Sequence, residues 1–86
     1  MRGLAYRAKG DLDRAIGDYD QAIRLEPDNA DAHNGRGVAW ADKGDYAQAV
    51  RDYDRALQIN PNHERAAVYK ALAEKELAKT KKKSWF

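Results

Sequence analysis

Residues 36–61 read RGVAWADKGDYAQAVRDYDRALQINP, and residues 2–27, RGLAYRAKGDLDRAIGDYDQAIRLEP, carry the same text 34 positions earlier. Arg2-Gly3 falls on Arg36-Gly37, Lys9-Gly10-Asp11 on Lys43-Gly44-Asp45, Asp18-Tyr19-Asp20 on Asp52-Tyr53-Asp54, and Pro27 on Pro61. Ala5, Ala15 and Ala22 match Ala39, Ala49 and Ala56, and the other apolar pairs are conservative: Leu4 with Val38, Tyr6 with Trp40, Ile16 with Val50. A self-similarity of this period marks a chain of stacked supersecondary units, each too small to bury its own apolar face.

Within each unit the Lys-Gly-Asp turn predicts two helices, since glycine accepts the left-handed residue that ends one and aspartate caps the next. The second helix shows a 3.6-residue apolar stripe: Leu12, Ala15, Ile16, Tyr19, Ala22 and Ile23, then Tyr46, Ala49, Val50, Tyr53, Ala56 and Leu57. Pro27 and Pro61 end these helices. Asp28 or Asn29, and then Asn62, are the caps expected for the helices that follow. The small residues Gly37 and the matched alanines allow close helix approach. A further helix is predicted over about 63–80, with Ala66, Tyr69, Ala73 and Leu77 on one stripe.

This 34-residue helical hairpin, with Gly, Tyr or Trp, Ala, Tyr, Ala and Pro at their offsets, resembles the tetratricopeptide repeat family. The resemblance implies an all-α, right-handed α-solenoid. It would comprise hairpin 1 (about 1–27, its first helix short at the start), hairpin 2 (about 28–61), a C-terminal solvating helix and a basic, aromatic tail over 81–86. Residues 1–80 form one unit in this reading. The sequence departs from the family where His33 takes a tryptophan position and where Arg2 and Arg36 take positions often held by leucine. In the last helix Ala71 and Glu74 replace the glycine and the aromatic, so the face that would meet another helix is polar.

Chemistry is sparse. The chain has no cysteine, and its two hydroxyls outside tyrosine, Thr80 and Ser84, lie beyond the repeats, which leaves no nucleophile beside a base. His33 and His63 lack a second ligand one turn away and read as packing or solvated histidines. Gly35-Arg36-Gly37 lies within a helix and follows no strand, so it is not a phosphate loop. The pairs Asp18/Asp20 and Asp52/Asp54 diverge by about 200° around a helix and read as a solvated face. No enzyme activity, cofactor or metal is expected.

The net charge is +2. Residues 1–61 hold nine basic and eleven acidic side chains and residues 62–86 seven and three. The lysine run at 81–83 is a weak argument for nucleic acid, which is expected not to bind. No stretch suggests a membrane span or a signal peptide, so a cytoplasmic setting is the default.

The resemblance implies a protein-binding module whose first helices line a groove for a peptide or partner helix. That groove comprises Leu4, Arg7 and Ala8; Asp31, Asn34, Val38, Ala41 and Asp42; and Arg65, Val68, Leu72, Lys75 and Glu76. Family members often use asparagine at the position of Asn34 to hold ligand backbone amides. A subclass that clamps a C-terminal carboxylate is disfavoured: its matching positions include Leu4, Gly35, Val38 and Tyr69, and only Arg65 is basic. The alternative is a self-associating structural fragment, natural or engineered, with no separate ligand. In that reading Leu12, Ile16 and Tyr19 are poorly covered, and Trp85 and Phe86 dock on a neighbouring copy to give a homo-oligomer.

Overall fold

The computed structural model describes residues 9–83, which form four helices: α1 (Lys9–Leu25), α2 (Ala30–Asp42), α3 (Tyr46–Ile59) and α4 (Glu64–Lys83). No strand occurs among the described residues. Each helix packs on the next, and α2 also touches α4, whereas α1 and α3 make no backbone-level contact. The centre of the molecule is the interior of α3: Ala49 and Ala56 are wholly buried, and Tyr53 is the largest fully buried side chain. Ala73 of α4 joins Ala49 and Tyr53, with Val38, Trp40 and Val50 packed around them.

The turns repeat bond for bond. The amides of Glu26 and Asn60 donate to the carbonyls of Ala22 and Ala56, and those of Asn29 and His63 to Glu26 and Asn60. Between α2 and α3, Gly44 takes φ +90°, and the amides of Lys43, Gly44 and Asp45 bond back to carbonyls of α2. Asp45 then caps α3 by accepting from the Gln48 amide, and Asn29 caps α2 by accepting from Ala32.

Several expectations are corrected. Lys9 and Gly10 do not form the turn that Lys43 and Gly44 form; both are helical, and no glycine but Gly44 has positive φ among the described residues. Glycine permits the left-handed residue without forcing it. The cap of α4 is His63 instead of Asn62: its Nδ1 accepts from the Ala66 amide at 3.1 Å. Leu12 and Ile16 are buried, at 5% and 8% exposure, because their stripe faces the body of the protein; only Tyr19 of that trio is half-exposed. α4 runs through Lys83, beyond 80. Leu4, Arg7, Trp85 and Phe86 lie outside the described residues.

The aspartates also differ from a solvated face. Arg36 of α2 grips Asp52 of α3 with two bonds, Nε to Oδ2 at 2.9 Å and Nη2 to Oδ1 at 2.7 Å, and its Nη1 reaches Asp20 of α1 at 2.7 Å. Asp52 is buried. One repeat later Lys70 of α4 pairs with Asp54 of α3 at 2.7 Å. The divergence of Asp52 and Asp54 lets one carboxylate meet its own hairpin and the other the next helix, whereas Asp18 is exposed, as expected of a solvated face. The bond to Asp52 is the main cause holding Arg36 above its ordinary pKa; partial burial opposes it and the bond to Asp20 adds to it.

Glycines flank this arginine for a steric reason. A Cβ on Gly35 would stand 2.4 Å from the Tyr19 ring, and one on Gly37 would stand 2.6 Å from the Tyr53 ring. Tyr53 is 1% exposed and cannot retreat, while half-buried Tyr19 can swing outward. Gly37→Ala is therefore expected to destabilise by about 1–3 kcal/mol through overpacking, and Gly35→Ala by distinctly less; urea unfolding of the two variants compares them directly.

Burial, and then the charge of Asp42, push the Tyr53 hydroxyl from 10.0 up to about 12. Above pH 10 the unfolded chain releases this proton while the native state keeps it, so stability falls as pH rises towards 12. Lys70, raised by its bond to Asp54, acts in the same direction, because its contribution is lost as pH passes its folded pKa. Denaturant midpoints between pH 9 and 12 should fall, and Tyr53→Phe should remove part of the fall, on the order of 2 kcal/mol.

Candidate functional site

α2 presents five consecutive residues with divided duties. Gly35, Arg36 and Gly37 face the neighbouring helices, and Asn34 and Val38, one turn apart, wall two adjoining cavities that α4 borders from the other side.

The first cavity, about 270 Å³, lies between α1, α2 and α4, and Asn34, Tyr19, Tyr69 and Arg65 are among its walls. Asn34 is 8% exposed, and its Oδ1 is buried with no hydrogen-bond partner. A buried carbonyl oxygen without a donor costs roughly 1–3 kcal/mol, a cost that a bound N–H group would relieve. Arg65 is exposed on the first turns of α4.

The second cavity, about 210 Å³, is walled by Val38 and Ala41 of α2, Tyr46 and Tyr53 of α3, and Leu72 and Ala73 of α4, with Asp42 and Glu76 at its edge. Val38 and Tyr69 belong to both cavities. The Tyr53 and Tyr69 rings lie 5.9 Å apart and tilted, so this shared wall is braced by the core. A larger recess, about 480 Å³, lies over the inter-repeat turn at Glu26–Asp31 and Asn60, away from this face.

Of the residues expected in a groove, Asn34, Val38 and Arg65 meet at the first cavity, and Val38, Ala41, Asp42, Leu72 and Glu76 at the second. Val68 and Leu72 are 56% and 55% exposed. Asp31 and Lys75 are exposed and line neither cavity. Asp31 instead accepts a bond from His63 Nε2 at 2.8 Å. With Nδ1 accepting from Ala66, His63 is the neutral Nε2–H tautomer, tying the start of α2 to the start of α4. His33 is buried, and its Nε2 donates to the Pro27 carbonyl at 3.0 Å.

Sequence reasoning missed Tyr19, Gly35 and Tyr69 as cavity walls. Their signal was the alignment itself, where Tyr69 stands one repeat after Gly35: the first cavity exists because a ring occupies on α4 the place that glycine leaves open on α2.

Among the described residues no three metal-ligating side chains cluster, and no helix is long and apolar enough to cross a membrane. A search of curated proteins found none that matches. The family model described as tetratricopeptide repeat matches residues 1–64, most of the chain, and four helices whose two inter-repeat turns share the same bonding are what that family builds. The chain belongs to the tetratricopeptide repeat family.

Proposed function

We propose that the face shared by α2 and α4 binds an extended peptide segment or helix of a partner protein, without catalysis. The observation that carries this reading is the buried, unpartnered Oδ1 of Asn34 at the wall of a cavity between the two helices. Peptide backbone supplies the N–H that this oxygen needs. Tetratricopeptide repeats generally mediate protein–protein interaction, which supports the same conclusion. The binding residues are those of the groove described above, from Leu4 and Arg7 through Asp31, Asn34, Val38, Ala41 and Asp42 to Arg65, Val68, Leu72 and Lys75. Residues 1–80 act as one unit in this reading, and a cysteine-free repeat suits the reducing cytoplasm.

A second reading, self-association, is favoured by one feature: Val68 and Leu72 offer apolar surface on α4 that no other described element covers. Sedimentation equilibrium with and without a captured peptide separates the two, since a ligand groove stays open in a monomer.

The test is a peptide array probed with the wild-type protein and with Asn34→Ala. The variant is expected to bind captured peptides about 5- to 30-fold more weakly, the worth of a hydrogen bond of roughly 1–2 kcal/mol. Its thermal stability should be no lower than wild type, because the substitution deletes a buried acceptor that has no partner. Undiminished binding by Asn34→Ala, or an array that captures nothing, contradicts the proposal.

A further inference from the structure

The two cavities differ in charge as well as in lining, and that difference specifies a ligand. At the first, Arg65, Asn34 and the rings of Tyr19 and Tyr69 line one cavity. Arg65 forms no ion pair among the described residues, and Asp31, the acid at the start of α2, is engaged by His63. A guanidinium fork beside low-dielectric ring walls favours a carboxylate, which it binds with two parallel bonds. At the second cavity the walls are aliphatic and aromatic, and the edge carries Asp42 and Glu76. Its lining holds no cation and Glu76 is already paired with Lys79, so that end takes an uncharged apolar side chain.

Spacing completes the match. Along α2 the walls step from Asn34 to Val38 and then to Ala41 and Asp42; along α4 they step from Arg65 to Tyr69 and then to Leu72 and Ala73. From Asn34 to Val38 is about one helical turn, roughly 6 Å, and from Arg65 to Leu72 about two, roughly 10–11 Å. In an extended chain, side chains on the same side recur every second residue, about 6.6–6.8 Å apart, so residues two or four apart bracket that span. The intervening backbone offers an N–H to Asn34 Oδ1.

We infer that the segment bound by this face carries an acidic side chain two or four residues from a bulky apolar one, the acid on Arg65 and the apolar group between Val38 and Leu72. The inference rests on the peptide-binding reading above and adds the ligand's chemical class. The carboxylate is that of a side chain, a choice that peptides with both ends blocked test directly.

The experiment is selection of a random twelve-residue library displayed with both ends blocked, followed by fluorescence anisotropy of the enriched sequences as C-terminally amidated peptides. The enriched set is expected to share Asp or Glu two or four positions from Leu, Ile, Phe or Met. Arg65→Glu, on an exposed position with no ion pair among the described residues, should weaken such a peptide at least 10-fold and, in a repeated selection, shift preference to Lys or Arg. Leu72→Asp should weaken it at least 10-fold without changing the acidic preference. Helical circular dichroism confirms that both variants are folded. Peptides that bind and respond to Asn34→Ala, yet change less than twofold with Arg65→Glu, overturn this inference and leave the groove standing. Enrichment of nothing overturns both.

Discussion

The guanidinium of Arg36 joins two helices whose backbones do not meet. Its fork closes on Asp52 of α3, and its remaining amine reaches Asp20 of α1, so one side chain on α2 adds a three-helix ion link to the packing of α1 on α2. The environment sets the worth of this link. Asp52 is buried, and removing the partner of a buried charge costs far more than the intact pair contributes over an apolar replacement. Family members often place leucine at this position; here an ion triad stands instead, and the aspartates of the repeat are its counterpart. Lys70 and Asp54 continue the pattern one repeat later with a more exposed, weaker pair.

The glycines on either side make the link sterically possible. Gly37 admits Tyr53 and Gly35 admits Tyr19, which brings α2 close enough to both neighbours for one arginine to span them. On α4 the corresponding residues are Tyr69 and Ala71. Tyr69 cannot admit a ring as Gly35 does, so Tyr53 leans on it with centroids 5.9 Å apart. This one substitution between repeats creates the wall shared by the two cavities. Joint and cavity wall are thus consecutive residues of a single helix: Asn34 and Val38 are oriented because Gly35, Arg36 and Gly37 are held between them.

Much of this was legible in the sequence. The 34-residue period, the Lys43-Gly44-Asp45 turn, the buried stripe of Ala49, Tyr53 and Ala56, and the polar outer face of α4 follow from spacing and residue type, because repeats bury the same positions each time. What escaped was pairwise. Asp52 and Asp20 read as solvated because no local rule places them 16 residues from Arg36 in opposite directions along the chain. His63 read as a bystander because capping tables favour Asn62, although His63 stands one repeat after the cap Asn29. Gly10 read as a turn because glycine allows that conformation, yet allowance is not compulsion. The groove residues were named from resemblance, and only three-dimensional packing divides them into a cavity with a cation and a cavity without one.

The most direct test of the Arg36 link is a double-mutant cycle by urea unfolding with Arg36→Leu, Asp52→Ala and the two combined. Arg36→Leu should lose about 3 kcal/mol, because it strands buried Asp52; Asp52→Ala should lose less, because Arg36 is partly exposed and keeps Asp20; and the double variant should lie within about 1 kcal/mol of wild type. An Arg36→Leu protein as stable as wild type, or a double variant whose loss equals the sum of the singles, would contradict the account.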